Sequence, residues 1–469
     1  MTATSTAHTD PPTVALERTF VTRVVSMLKG ASDRDRTRRD AIVAFGVRVA
    51  SAGLLYLSQI VLARWMGGFE YGIYVFTWSW VLVLGAMANA GFNLATIRLI
   101  PEHREKGEFN RLRGLMVGSR LVGVGGGLAV AGVVALVLWA AGDRMPSHYI
   151  VPAWLALMCI PLYAMTDVQD GIGRGEAQMA IALLPPYILR PMLLLGSMAV
   201  AFMAGVAMDA TAAAAAAVVA TWGAGLVQLV LVQRHLAKAV PTGPTAYAWR
   251  HWFGTSLPLL VISGSEILLQ NIDVFVISHY LKPTDVAIYF AAAKTMALIN
   301  FVHYAVGSAV ANRFAALGAR GDEAGLKAFV RDAVNWTFWP SLAGAATILA
   351  LGWPLLWLFG PQFTAGYPVM AIIVLGFLAR ATMGPADFLL NMLGHQRTCA
   401  VVLTTTVVLN LALNLVLVPR FGIEGAATAS ALSLSRTAMM YYLAARRYLG
   451  IEVAIWRNLP KIDLRWPRR

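Results

Sequence analysis

Twelve mostly apolar stretches, each long enough to cross a bilayer, divide this chain and leave room for little else. A spanning helix needs about 20 such residues. The runs fall at 42–66, 71–97, 114–140, 148–168, 178–205, 211–233, 255–280, 286–314, 332–352, 366–393, 398–418 and 423–446. This pattern predicts an all-α, polytopic membrane protein whose natural surroundings are the lipid bilayer. The connecting segments are short and the longest polar stretch is the N-terminal one, so no soluble catalytic domain fits. Composition agrees. Only 13% of the 469 residues are charged, against about 25% in a soluble domain, and the mean hydropathy is +0.64. These values exclude an ordinary soluble enzyme, a disordered chain and a nucleic-acid binder. The two cysteines, Cys159 and Cys399, lie in or at the edge of apolar runs with no disulfide or metal spacing. The polar N-terminus lacks a signal-peptide pattern, so the first run is expected to persist as a span.

Basic residues set the expected orientation. With both termini cytoplasmic, 28 of the 38 Lys and Arg fall in cytoplasmic segments. Only Arg64, Arg144, Lys282 and Arg420 fall on the other side. That asymmetry is a strong positive-inside signal and points to a multi-pass protein with both termini in the cytoplasm. Residues 14–30 read either as a basic amphipathic helix on the inner leaflet or as a partly disordered tail. The chain divides into a cytoplasmic basic segment (1–40), a first half of six spans (41–238), a linker (239–254), a second half of six spans (255–447) and a basic tail (448–469).

The two halves resemble each other. Shifted by 215 residues, LARWMGGFEYGIYVF (62–76) lies on ISHYLKPTDVAIYFA (277–291) without a gap, Tyr74 on Tyr289 and Arg98 on Arg313. An even number of spans per half makes this a parallel repeat about an axis along the membrane normal. A binding site is then expected where the halves meet.

The segments GGFEYGIYVFTWSW, NAGFNLATIRLIPEH and NIDVFVISHYLKPTDVAIYFAAAKT resemble the corresponding spans of bacterial polysaccharide flippases. LNLALNLVLVPRFGIEGAATASALS (409–433) resembles their Asn-containing span, Pro-aromatic-Gly turn and Gly-Ala-Ala helix start. These are the Wzx-type transporters of the MATE/MOP superfamily, and the resemblance runs from residue 41 over nearly the whole chain. It implies two six-helix lobes around a cavity that opens alternately to each side. It also implies a polyprenyl-pyrophosphate-linked oligosaccharide as cargo, for O-antigen, capsule or exopolysaccharide. Polysaccharide polymerase or export machinery would be partners of such a protein, itself expected to be a monomer.

Charges inside spans cost about 2.5–3.5 kcal/mol at a helix centre on insertion scales, which makes them candidates for function. The cations are Arg48, Arg120, Arg190, Lys294, Arg380 and Arg436; the anions are Glu266, Asp273 and Asp387. The cationic surplus suits a pyrophosphate, because Arg offers forked donors to phosphate oxygens. Arg190, Lys294, Arg380 and Arg436 are too deep to snorkel and either line the cavity or sit in internal salt bridges. Arg48 and Arg120 are near enough to a cytoplasmic end to snorkel instead. Arg190 follows Pro185 and Pro186 and precedes Pro191, in a segment that reads as a broken helix beside a site or a simple kink. Glu266 and Asp273 are two turns apart on one face. They and Asp387 are candidates for coupling to a proton or sodium gradient; the alternative is pairing with Lys294 or Arg48. No resident cofactor is expected. Asn410 and Asn414 read as interhelical hydrogen-bond groups, His303 as a proton or sugar contact or a satisfied core residue, and the glycine pairs of the third span as packing positions.

No phosphate-binding GxxxxGK[ST], zinc HExxH or nucleophile-elbow GxSxG motif occurs. The chain is therefore expected not to be an enzyme. The competing readings are a multidrug or cation antiporter of the same superfamily, which should have an acid-rich interior, and a membrane glycosyltransferase or polysaccharide polymerase, which would need a larger outer loop.

Overall fold

The structure is a computed structural model that describes residues 33–142 and 145–459, with side chains described from Ala50 on. The amphipathic reading of 14–30, the Arg48 side chain and the basic residues after 460 lie outside the described residues. Those residues form helices throughout, with no strand among them.

Among the described residues, nine helices are long and apolar enough to cross a membrane. A tenth span is formed by Glu323–Ala350 and Gly352–Phe359, bent by 60°. Two of the nine contain two spans each, run together at a glycine. Gly67 breaks the first pair with φ 74°, and Gly422 breaks the last pair with φ 60°. That left-handed backbone is open to glycine at little cost, and it lets the chain reverse with almost no loop. The result is twelve crossings in two halves of six, a multi-pass membrane protein.

Several spans are interrupted within their apolar runs, among them the fifth, whose prolines signalled a break or a kink. The second span consists of residues 68–88 and the helix Phe92–Glu105. The eighth breaks between Pro283–Ala297 and Asn300–Arg320. The tenth breaks between Tyr367–Ala381 and Ala386–Met392. In the fifth, Pro185–Leu189 forms a π-helical turn between Met179–Leu184 and Arg190–Met203. Proline removes a backbone donor, and a π turn is the local repair. The expected run 332–352 also differs: its helix begins earlier, at Glu323.

The packing is asymmetric from one face of the membrane to the other. On the face that carries few basic residues, one apolar core is shared by both halves. It joins Leu62, Tyr71 and Tyr74 to Ile277, Tyr289 and Phe363. On the arginine-rich face each half has its own core. One is built around Leu99, Leu115, Ile172 and Trp252, the other around Phe314, Val330, Leu389 and Ala445. The second of these takes in Ile451, Val453 and Ile455. The start of the segment read as a free tail is therefore packed into the second half, where the Ile455 amide donates to the Thr382 carbonyl at 2.8 Å.

Contacts on the arginine-poor face are close. A Cβ on Gly72 would sit 1.8 Å from the Pro283 carbonyl oxygen, so the second and eighth spans touch backbone to backbone. Trp80 stacks on Phe275 with centroids 4.3 Å apart. Arg64 reaches across to the second half, its Nε donating to the Leu358 carbonyl at 2.7 Å and its Nη2 to that of Trp357 at 2.8 Å.

On the arginine-rich face the halves meet through the linker and the first turns of the seventh span, Trp249–Tyr280. Arg113 donates to the carbonyls of Pro241 and Pro244, and the Ala246 amide donates to the Asn110 carbonyl. Trp249 lies over Gly118, where any side chain would collide with the ring. The third span, Phe109–Ala141, packs on the second and fourth spans through Gly123, Gly126 and Gly127, while its far end is exposed, Leu136 by 66% and Trp139 by 78%.

Candidate functional site

A cavity of about 460 Å³ lies in the second half, lined by the seventh, eighth, tenth, eleventh and twelfth spans. Its volume is that of a small-molecule site. Helix breaks place most of its charged groups. Arg380 lies in the last turn of Tyr367–Ala381. The chain then turns through Gly384, at φ 56°, and Asp387 follows in the first turn of Ala386–Met392. The break folds the two side chains together, so that Arg380 Nη2 lies 3.2 Å from Asp387 Oδ2. His303, just past the break in the eighth span, brings Nε2 to 3.2 Å from the same oxygen.

Asp273 is held differently. Tyr289 Oη donates to its Oδ2 at 2.5 Å, Ser430 Oγ to the same oxygen at 2.6 Å, and Asn414 Nδ2 to Oδ1 at 2.8 Å. Asn410 continues the network to Ser430 at 3.5 Å and to Asn414 at 3.2 Å. Burying a carboxylate is costly unless donors replace its water, and three other spans supply them here. Two groups in the cavity are left open. Lys294 Nζ lies 5.0 Å over the Phe290 ring. Neither Lys294 nor Glu266 has an ion-pair partner within 4 Å among the described residues, and both line the cavity. Tyr289, Phe290, Tyr304, Phe377, Phe388 and Tyr441 surround them with aromatic faces.

Of the cations proposed from sequence, the five whose side chains are described do not all line one cavity. Lys294 and Arg380 line it together with Glu266, Asp273 and Asp387, so its lining is mixed, with more carboxylates than cations. Arg190 lies in the first half, 5.4 Å from both the Trp78 and the Tyr163 ring, beside a small pocket of about 40 Å³. Arg436 turns away to the hydroxyls of Thr406 and Thr405, at 3.1 and 3.2 Å. Arg120 donates to Gln233 at 2.8 Å and lines neither space. Arg313, which aligns with Arg98 in the repeat, lies over the Phe329 ring at 4.3 Å. Sequence reading missed Asp167 in the fourth span, which accepts hydrogen bonds from Asn89 and Asn93. The visible signal was a carboxylate inside the apolar run 148–168.

Comparison with known proteins agrees with this architecture. Among solved structures, an inward-facing multidrug resistance MATE family transporter of the MOP superfamily superposes with a TM-score of 0.72 at 14% identity, covering 85% of this chain and 94% of that one. The outward-facing form of a transporter so described gives 0.62 at 15% identity, covering 91% and 98%. A MOP superfamily transporter from Pyrococcus furiosus, described as having a binding pocket of reversed polarity, gives 0.61 at 14% identity, covering 91% and 98%. No curated protein matches the chain. A family described as polysaccharide biosynthesis protein matches residues 37–314. A family match over more than half of its length shows that this chain belongs to the polysaccharide biosynthesis protein family, and its twelve spans share the fold of the MATE transporters.

Proposed function

We propose that this protein is an inner-membrane flippase that moves polyprenyl-pyrophosphate-linked oligosaccharide units to the outer leaflet by alternating access, for assembly of a surface polysaccharide. The observation that carries the reading is Lys294, an ammonium without a carboxylate partner among the described residues, in a cavity ringed by aromatic side chains. A compact cation binds phosphate oxygens as a point charge, and aromatic faces accept the apolar faces of sugars. The shared core on the arginine-poor face and the separate cores on the other support a state open to the cytoplasm. The higher TM-score to the inward-facing transporter supports the same state.

The three carboxylates divide by environment. Asp387 is neutralised by Arg380 and serves to shape the cavity. Glu266, open to the cavity, and Asp273, held by donors from three other spans, are the groups suited to coupling with a proton or sodium gradient. A second reading, a cation antiporter, is favoured by the same two carboxylates.

The test is mass spectrometry of polyprenyl-linked saccharides in a strain lacking the protein, in the same strain re-expressing it, and in one re-expressing Lys294→Ala. Accumulation of one lipid-linked oligosaccharide, reversed by the wild type but not by an equally abundant Lys294→Ala, is the expected result. An unchanged lipid-linked pool refutes the flippase reading, and cation efflux from the same strains then tests the antiporter.

A further inference from the structure

The second half contains a partly buried carboxylate on the fourth of its spans, Asp387, contacted by His303 at the break in its second span. The first half repeats this arrangement. Asp167 lies on its fourth span, Ser147–Gly175. Its Oδ2 accepts from Asn89 Nδ2 at 2.6 Å and from Asn93 Nδ2 at 3.1 Å, and these two residues flank the break in its second span. The amide orientations are fixed by the backbone. Asn89 Oδ1 accepts from the Gly91 amide at 2.8 Å and Asn93 Oδ1 from the Leu94 amide at 2.9 Å. The NH₂ groups are therefore the ends left to face Asp167.

The two carboxylates differ in their counter-charge. Asp387 is ion-paired with Arg380. Asp167 has no Lys, Arg or His nitrogen within 4 Å among the described residues. Its ionisable neighbours come from the elements packed on it, and the helix Phe92–Glu105 carries Arg98, Glu102, His103, Arg104 and Glu105, all five or more residues beyond Asn93 toward the arginine-rich end. On its own helix Arg174 is paired with Asp170 at 2.6 Å, and Tyr163 lies under Arg190. The fifth span brings Tyr187 and Arg190, the latter also over Trp78. In the membrane part of the third span the ionisable side chain is Arg120, turned to Gln233. Residues 50–88 carry only the charges Arg64 and Glu70, both near the opposite face, and residues 210–233 carry none.

We propose that Asp167 is a proton-binding site of the first half, and that its proton opens and closes the clamp on the broken second span. The donor geometry selects a proton over a metal ion. Sodium or calcium needs a cage of oxygens, but both amide oxygens here are committed to backbone and two N–H groups converge on the carboxylate. A proton needs only one lone pair. Once bound, it replaces charge-assisted hydrogen bonds by weaker neutral ones and loosens Asn89 and Asn93. The break carries this further. Gly91, at φ 78°, lies so close to the seventh span that a Cβ would stand 2.2 Å from the Ser256 carbonyl oxygen. A shift of the break must displace the helix that bears Glu266 and Asp273, which links proton occupancy in one half to the cavity in the other. The inference rests on the flippase reading only for what the proton would drive.

The test needs no cargo, so its failure is separable from failure of that reading. Spin labels at positions 106 and 320, on the arginine-rich ends of the two halves, report their separation in lipid nanodiscs across the mildly acidic to mildly basic range. Wild type is expected to show a pH-dependent distance distribution. Asp167→Asn should lose that response, Asp167→Glu should keep it, and Asn93→Ala, which leaves the carboxylate in place, should displace its midpoint. Thermal unfolding of each variant identifies any that fail to fold, and Asn93→Ala then carries the test. A wild type without pH response, an Asp167→Asn that responds like wild type, or an Asn93→Ala midpoint that does not move overturns the proposal.

Discussion

Arg64 is the side chain whose removal should most directly weaken closure of the arginine-poor face. It belongs to the first span, and the carbonyls it reaches, Trp357 and Leu358, belong to the bent ninth span of the other half. Its guanidinium also lies 4.9 Å from the Trp357 ring. Hydrogen bonds from a charged donor contribute about 1.5–3 kcal/mol in general, and an exposed cation–π contact about 0.5–1 kcal/mol. Because Arg64 is solvent-exposed, each hydrogen bond is discounted to about 0.75 kcal/mol, and the latch as a whole stabilises the closed face by about 2 kcal/mol. All of it is lost when the halves separate there. Arg64→Ala should therefore raise the ratio of open to closed by a factor of about 30. Spin labels at Val206 and Trp353, both exposed and on opposite halves of that face, would measure the ratio in a Cys159→Ala, Cys399→Ala background. Arg64→Lys, which keeps the charge but not the fork, should fall between. A ratio unchanged in Arg64→Ala, with folding intact, would refute the latch.

Two further outcomes follow from the cavity's polar groups. Arg380→Ala leaves Asp387 buried without its counter-charge and should lower stability by about 3–5 kcal/mol. Arg380→Met combined with Asp387→Leu should recover most of that loss in a thermal unfolding measurement. Asn414→Ala removes one of the donors to Asp273 and should cost about 1–3 kcal/mol. The same melting assay checks it, and a change below about half a kcal/mol would mean that water takes over the bond.

The spans and their repeat were readable because a bilayer demands about 20 apolar residues at each crossing, a demand that composition cannot hide. The breaks inside spans were harder. Gly384–Pro385 was a turn signal lying within an apolar run, but Leu298–Ile299 offers none, and that break comes from packing against the rest of the half. The direction of the site residues was not legible. Ser433, Thr437 and Tyr441 form the face that lines the cavity, and Arg436 stands one residue, or about 100° around the helix, away from it. The polar spacing of Ser430, Ser433 and Thr437 was the better guide. Lys294 and Arg380 share the cavity because two broken helices bring their ends together, and span order alone does not encode that.

Where the chain changes halves in sequence is not where it changes halves in mechanics. The linker and the opening turns of the seventh span are fastened to the first half by Arg113, Asn110 and the ring of Trp249 over Gly118. The far end of the same helix, at Asp273, is bonded into the second half. One helix thus has its ends clamped in two different bodies. Any rocking of those bodies must be absorbed between the clamps, along a stretch holding Pro258, which gives up one backbone hydrogen bond, and Gly264, beside which a Cβ would meet open space. The seventh span is in this sense an axle as well as a wall, and the flexural stiffness of about four turns of it sets how far the cavity can open.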